Sequence, residues 1–326
     1  MKILNYFKAL SDRTRIRVFN ILLNHELNVN ELAYLMDMGQ SSVSRHLKIL
    51  TDAGLLECRR DGKSSFYLIP AKGPGRDMMD AIRYLMDDEP QLKQDLVQAE
   101  SFVLARKQKD LQFFNHIASR WDLLKREILG EFDLNEAIIQ AIPPSGVAVD
   151  LGCGTGELVE KLQSIAELVI GVDSSIKMLD LARNRVYPDR ERVDLRLGEL
   201  EHLPLKNDEA DCAVVSLVLH HLSRPRLFVS EVGRVMKKNG TLVIVDFDKH
   251  DDESMREIFG DRWLGFSKEE ILDIITPHGF TMIEDRSFKI KKNLALNLYR
   301  SVFSGVHKAR PVKIPDYNMY KERSVE

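Results

Sequence analysis

Apolar positions along this chain follow two periods, and the change between them divides it. Near the start they recur at helical steps: Val43, Leu47 and Leu50 mark one face of a helix predicted from Gln40 to Thr51. Asn30 is placed to cap a shorter helix, Glu31 to Met36, and Met38-Gly39 makes the turn between the two. Gly54 ends the second helix. Leu55–Arg60 and Ser64–Ile69 then predict a hairpin around Asp61-Gly62, a two-residue turn signal. From Val147 onward the apolar residues instead form continuous runs, as in strands buried on both faces. Such runs lie at Val147–Val149, Leu168–Val172, Cys212–Leu219 and Thr241–Val245, the last after an Asn239-Gly240 turn, with further strands at Phe280–Ser287 and Leu294–Phe303. A helix near Arg226–Lys237 and another opened by the Ser267-x-x-Glu270 capping box and closed by Gly279 fall between them. Alternating strand and helix predicts an α/β sheet.

The region between the two patterns is helical and mostly polar. Pro70-Ala71-Lys72-Gly73-Pro74-Gly75 is a linker by composition. Met78, Met79, Ile82, Leu85 and Met86 then form an apolar stripe, of which packing on the chain's own first helix and pairing of two subunits are compatible readings. A polar helix, Gln91 to Lys109, leads into Phe113-Phe114-Asn115-His116-Ile117-Ala118-x-x-Trp121-Asp122. Three units follow: 1–70, 71–112 and 113–326. A length of 326 residues agrees with more than one domain.

Candidate chemistry concentrates at Asp150-Leu151-Gly152-Cys153-Gly154-Thr155-Gly156, between a strand and a helix. Glycines at alternate positions allow a sharp turn and a close approach of backbone to ligand. Glu157 stands where a dinucleotide-binding loop carries its last glycine, which disfavours NAD. The second strand ends in Asp173, seventeen residues after Gly156, where a carboxylate can accept from both hydroxyls of a ribose. A lone loop of this kind is often only a tight turn; here the loop and the strand-end acid fall in order.

These residues resemble class I S-adenosylmethionine-dependent methyltransferases, from about Phe113 to Phe303, and most of all the branch that includes quinone and other small-molecule methyltransferases. The resemblance implies a Rossmann-like seven-stranded domain that binds S-adenosyl-L-methionine or S-adenosyl-L-homocysteine. Asp150, Gly152, Gly154 and Gly156 would hold the methionine part, Asp173 the ribose, and Glu199 the adenine amino group, with Leu200 flanking the ring. Met178 would pack either on adenine or in the core, and Trp121 would either cover the cofactor or be simple core. His220 and His221, at the fourth strand's carboxyl end, are candidate catalytic bases, or hydrogen-bonded scaffolding; His250 is a further candidate. The sequence Ser216-Leu217-Val218-Leu219-His220-His221 lacks the [DN]-P-P-[YF] run of amino-group nucleic-acid methyltransferases, and no Pro-Cys pair supplies a pyrimidine-attacking thiolate. A DNA-modifying enzyme is thus disfavoured.

Charge separates the two ends. The first seventy residues carry 10 lysines and arginines against 7 acids, in a chain whose net charge is -3. Gln40, Ser41, Ser42, Ser44, Arg45 and Lys48 lie on the polar face of the second helix and suit base edges and phosphates; Arg59, Arg60 and Lys63 cluster at the hairpin tip. His46 is placed either to touch DNA or to pack beneath the hairpin. Ala9-Leu10-Ser11-Asp12-x-Thr14-Arg15-x-Arg17, Ser41-Ser42-Val43-Ser44-Arg45-His46-Leu47-Lys48 and Leu50-x-x-Ala53-Gly54-Leu55 together resemble the winged helix-turn-helix of ArsR-type bacterial repressors, over about Met1 to Ile69. That resemblance implies a homodimer on double-stranded operator DNA.

The departures narrow the function. Metal-sensing members have an E-L-C-V-C-D-L segment where this chain has Glu26-Leu27-Asn28-Val29-Asn30-Glu31-Leu32, and no histidine lies between Pro70 and Glu100. Those familiar thiolate and imidazole sets are missing, so no metal is expected. Cys58, Cys153 and Cys212 make neither a C-x-x-C pair nor an even set, and three scattered cysteines fall short of arsenite methylation. With 44% hydrophobic residues, 30% charged residues and no apolar run near eighteen, the chain reads as cytoplasmic and without a membrane span or secretory leader. Two functions remain: a transcriptional regulator whose methyltransferase-like domain is a receptor for the cofactor, or an active small-molecule methyltransferase that also binds DNA.

Overall fold

The computed structural model describes residues 1–70, 73–86, 88–186 and 190–305. Part of the Pro70–Gly75 linker and residues 306–326, which the sequence assigns to the last unit, lie outside the described residues. Helices α1 (Lys2–Leu10), α2 (Arg13–Leu22), α3 (Val29–Met36) and α4 (Gln40–Asp52) pack with a small sheet of β1 (Leu27–Asn28), β2 (Glu57–Asp61) and β3 (Ser64–Leu68). Asn28, rather than Asn30, caps α3: its side chain accepts from the Glu31 N–H while Glu31 accepts from the Asn28 N–H, a reciprocal box that starts the helix two residues earlier than expected. Val43, Leu47 and Leu50 of α4 are fully buried, as their spacing requires. Asp61 pairs with Ser64 across the turn that Gly62 makes at φ 55°.

Helix α5 (Pro74–Met86) turns Met79 into this core and leaves Tyr84 and Leu85 exposed. It is followed by α6 (Pro90–Ile117), a single 28-residue helix in which the polar stretch and much of the aromatic segment are continuous. The helix carries two apolar stripes in succession. Leu92, Ala99 and Val103 pack in the first module's core, where Arg17 forks onto Asp95 with two 2.8 Å bonds and the Asn20 amide donates to the Leu92 carbonyl. Leu104, Leu111 and Phe114 then face the second module.

That module begins with α7 (Trp121–Leu129) and α8 (Leu134–Ile139) and contains a seven-stranded sheet of β4 (Ser145–Leu151), β5 (Ala166–Asp173), β6 (Val193–Leu197), β7 (Ala210–Ser216), β8 (Met236–Phe247), β9 (Phe280–Lys289) and β10 (Ala295–Phe303). The order is β6-β5-β4-β7-β8-β10-β9, parallel except where β10 joins both neighbours antiparallel. The crossovers α9 (Glu157–Leu162), α10 (Ile176–Arg185), α11 (Pro225–Val235) and α13 (Lys268–Ile275) cover its faces, and α12 (Ser254–Phe259) lies in the connection after β8. Asn239-Gly240 does not separate helix from strand. It sits inside β8, where the register with β7 jumps between Ala210 and Cys212 and Asn239 takes φ 65°, so the Asn-Gly pair makes an irregularity in a longer strand.

The hairpin of the first module is seated on the second. Phe66 joins the sheet's core cluster, with its ring centroid 4.4 Å from that of Trp263. The Asp61 carboxylate is fully buried, pairs with Arg256 and accepts the Leu264 N–H. Glu253 accepts the Lys63 N–H at 2.7 Å, and a Cβ on Gly62 would collide with Glu253 and Leu264. Glu31 of α3 pairs with both Arg106 of α6 and Arg262, tying three segments together.

Candidate cofactor site and nucleic-acid interface

A cavity of about 540 Å³ opens at the carboxyl ends of β4, β5 and β7, where ligand sites occur in parallel sheets. Asp150, Gly152, Gly154, Asp173, Glu199 and Leu200 line it; Gly156 stands behind the loop as the first residue before α9. All three glycines have positive φ, at 83°, 51° and 81°. Their surroundings differ. A Cβ on Gly152 would strike Val218 and one on Gly156 would press on Ala182, so these two are required by the protein's own packing. Beside Gly154 the nearest atom to such a Cβ would be Trp121 Nε1 at 3.6 Å, which leaves the cavity side open for a ligand to approach the backbone.

Asp173 serves two purposes. Its carboxylate accepts the Gly154 N–H at 2.9 Å and the Ser175 N–H at 2.8 Å, holding the loop against β5 while facing the cavity. Burial raises its carboxyl above the usual range, opposed by those N–H groups. Asp150 lacks equivalent donors; burial pushes it up to about 7, with Lys125 pulling down and Asp173 pushing further up. The loop is also pinned from outside. Thr155 donates to Asp122 of α7, which pairs with Arg185 of α10 at 2.6 Å.

Glu199 stands at the rim, more than half exposed, 3.3 Å from Lys107 of α6. Glu201, which the sequence reading did not single out, lies deeper: one carboxylate oxygen holds Lys107 at 2.6 Å and the other is buried without a hydrogen-bond partner. Lys107, Lys125 and Asn115 also line the cavity without having been expected. Each comes from a helix whose facing depends on tertiary packing, although the 104, 107, 111, 114 spacing on α6 marks the face. Met178 is buried yet reaches the cavity wall, so core packing and ligand contact are compatible there. Trp121 lines the cavity, with its ring edge-on to Phe114.

The two histidines separate. His220 is buried behind the wall and its Nδ1 is 2.6 Å from Asp246. Burial alone would lower its imidazolium, but Asp246 and Asp261 raise it to about 9. His221 lines the cavity, and burial followed by the neighbouring His220 charge hold it well below the usual imidazole range. Of the two, only His221 lines the cavity. His250 accepts the Asp252 N–H through Nδ1 and is not among the lining residues.

On the first module, Gln40, Ser41, Ser44, Arg45 and Lys48 are exposed on α4 and Ser42 is half-buried, an open polar face of the kind that reads a major groove. Arg60 and Lys63 are exposed at the hairpin. Arg59 is not open as expected: its guanidinium lies over Trp263 at 4.3 Å and Phe266 at 4.5 Å, and it pairs with Glu270 at 3.0 Å. The cause is the second module, which supplies an aromatic floor and an acid that no local pattern announces. His46 is half-buried, its Nδ1 3.7 Å from Asp12, the residue that caps α2.

Residues 12–57 match the family model of bacterial regulatory proteins of the arsR family, and residues 149–244 match that of a methyltransferase domain. An uncharacterized 37.1 kDa protein in transposon TN4556 of Streptomyces fradiae is 37% identical over 108 residues, covering 32% of this chain and 31% of that protein. The ubiquinone/menaquinone biosynthesis C-methyltransferase UbiE of Syntrophotalea carbinolica is 29% identical over 143 residues, 42% of this chain and 60% of that one. The chain thus spans less than two thirds of the length of either curated relative. A solved complex between the Haloferax volcanii Trm112 methyltransferase activator and a methyltransferase aligns with TM-score 0.50 and 18% identity, over 58% of this chain and 97% of the other, which shows the shared fold.

Proposed function

We propose that this chain, an arsR-type helix-turn-helix segment joined to a methyltransferase domain, is a DNA-binding transcriptional regulator whose second domain is a receptor for S-adenosylmethionine and S-adenosylhomocysteine. The observation that carries this reading is α6. Its first half is fixed in the DNA module by Arg17–Asp95, and its second half roofs the cavity through Leu104, Lys107, Leu111 and Phe114. A ligand that shifts the roof acts on the helix that holds the recognition module.

The cavity suits the cofactor. Gly154 leaves room for close approach, Asp173 offers acceptors to a ribose, and the unpartnered Glu201 oxygen, beside Glu199, offers one to an adenine amino group. Asp150 supplies a carboxylate to the methionine ammonium. Bound there, the cofactor presents a transferable methyl group, and His221, in the cavity wall, is the candidate to take a proton from an acceptor. The exposed apolar residues Ile3, Leu4 and Phe7 of α1, with Tyr84 and Leu85 of α5, support a homodimer on an inverted repeat. The exposed thiol of Cys58 suits a reducing cytoplasm.

The second reading, a small-molecule methyltransferase that also binds DNA, is favoured by the cavity position of His221 and by the C-methyltransferase relative. One experiment separates the two: operator affinity measured with and without each cofactor form, beside turnover assays on a metabolite panel. The regulator reading expects the two forms to differ at least about fivefold in their effect on operator affinity, within the usual coupling range. Unchanged operator affinity with either form, together with methylation of a metabolite, replaces it by the second reading. Asp173→Ala should weaken cofactor binding roughly tenfold or more.

A further inference from the structure

We propose that His220, His221 and Asp261 form a binding site for a divalent transition metal, placed between the cofactor cavity and the hairpin-docking segment. The familiar thiolate positions of the DNA module hold asparagines, and the site now inferred lies in the other domain. One ligand atom from each of the three residues falls within 4.8 Å of the others. Asp261 Oδ1 is 3.5 Å from His220 Nε2 and 3.9 Å from His221 Nδ1. Metal–ligand bonds of about 2.0–2.2 Å to imidazole nitrogen and carboxylate oxygen span such separations.

Two observations point to a missing partner. Both carboxylate oxygens of Asp261 are buried without a hydrogen bond, and His221 turns Nδ1 toward them at 3.9 Å. Buried polar groups in this state are uncommon and destabilising unless something completes them. Next, His220 Nδ1 is engaged by Asp246 at 2.6 Å, which directs the lone pair of the neutral imidazole to Nε2, the atom facing Asp261. A carboxylate behind a histidine in this way orients it as a metal ligand.

The backbone pre-forms the cluster. The N–H groups of Arg262 and Trp263 both donate to the His220 carbonyl at 3.0 Å, clamping the Asp261 loop to the turn that carries the histidines. Leu217, two residues before that turn, takes φ 56°, a conformation a leucine rarely adopts. Two imidazoles and one carboxylate favour zinc, iron(II) or manganese(II) over soft, thiolate-seeking ions. Occupancy would be felt by the DNA module, because Arg262, Trp263 and Leu264, the residues after Asp261, are those that meet Glu31, Phe66 and Asp61. The competing arrangement is a protonated His220 bridging Asp246 and Asp261 with no metal.

The full chain, stripped with a chelator, is titrated with Zn²⁺ alone and, separately, with Co²⁺, whose visible absorption reports coordination number. We expect about one equivalent to bind, with an affinity at least roughly tenfold above that of Asp261→Asn and His221→Gln. Thermal melts check that the variants fold. Should either fail to fold, the histidine ring resonances of the wild type decide: Zn²⁺ must shift those of His220 and His221 together. No uptake by the wild type, equal uptake by the folded variants, or ring signals of His220 and His221 unmoved by Zn²⁺ overturns the proposal.

Discussion

The carboxylate of Asp61, at the hairpin tip of the first module, accepts the backbone N–H of Leu264 in the methyltransferase domain at 3.1 Å. It does so while fully buried and paired with Arg256. The hairpin that would flank a DNA backbone is thereby fastened to the other domain.

Removing that acid leaves the buried Leu264 N–H without its acceptor and takes from Arg256 one of its two carboxylate partners, Glu253 remaining. Asp61→Ala should cost the interface about 1 to 3 kcal/mol. The expected result is faster amide exchange in Ser64–Leu68 with both modules still folded. Unchanged protection there would remove the interface as a coupling element.

The loop glycines should separate by measurement. Gly152→Ala meets Val218 and should lower thermal stability strongly, whereas Gly154→Ala meets nothing closer than 3.6 Å and should cost only the strain of its positive φ, about 1 kcal/mol. Cofactor binding, read by calorimetry, should nevertheless fall sharply in Gly154→Ala. Retained affinity in that variant would mean that the ligand does not approach the backbone there.

Asp150 gives a pH dependence with a definite sign. Its folded carboxyl titrates near 7, above the unfolded value, so the folded state holds the extra proton at intermediate pH. Stability contributed by that protonated form is lost as pH rises through about 7. A cationic ligand prefers the ionised form, so affinity should fall as pH drops below that point. Asp150→Asn should melt higher than the wild type at pH 8 and bind the cofactor more weakly, with a flattened pH profile. Lys125 and Asp173 face the same carboxyl and shift the midpoint without reversing the sign.

On DNA, Arg45→Ala should weaken specific binding by about 1 to 3 kcal/mol if it reads a base, whereas Lys63→Ala should weaken all sequences alike and lower the salt slope by about one. Arg59→Ala should instead act mainly on the docking of the hairpin, because Trp263 and Glu270 hold that side chain. Competition binding against random duplex distinguishes the three variants.

Features encoded within a few residues were legible in the sequence. The hairpin around Asp61-Gly62, the box at Ser267 and Glu270, the glycine loop and the strand end at Asp173 each depend on near neighbours and each is present, although Asp61 closes β2 and the turn itself falls one residue later, on Gly62-Lys63. What escaped depends on distant partners. Arg59 carries the same charge wherever it points, and Trp263, Phe266 and Glu270, some two hundred positions later, decide its direction. Glu201 differs from Glu199 by two positions, yet the depth of Lys107 in the roof makes one buried and leaves the other at the rim. Asn28 and Asn30 are equivalent as caps by composition; Glu31, at the right offset from Asn28, selects between them.

Helix α6 also fixes a phase. Each residue in a helix advances about 1.5 Å and turns about 100°, so one inserted residue between Val103 and Arg106 would rotate everything beyond it by more than a quarter turn. Arg106 would leave Glu31, and Lys107 would leave Glu201, although no contact residue had been changed. The spacing between the two modules is therefore as much a part of the molecule's specification as the residues that line either one, and length changes within this helix should be tolerated less well than substitutions on its exposed face.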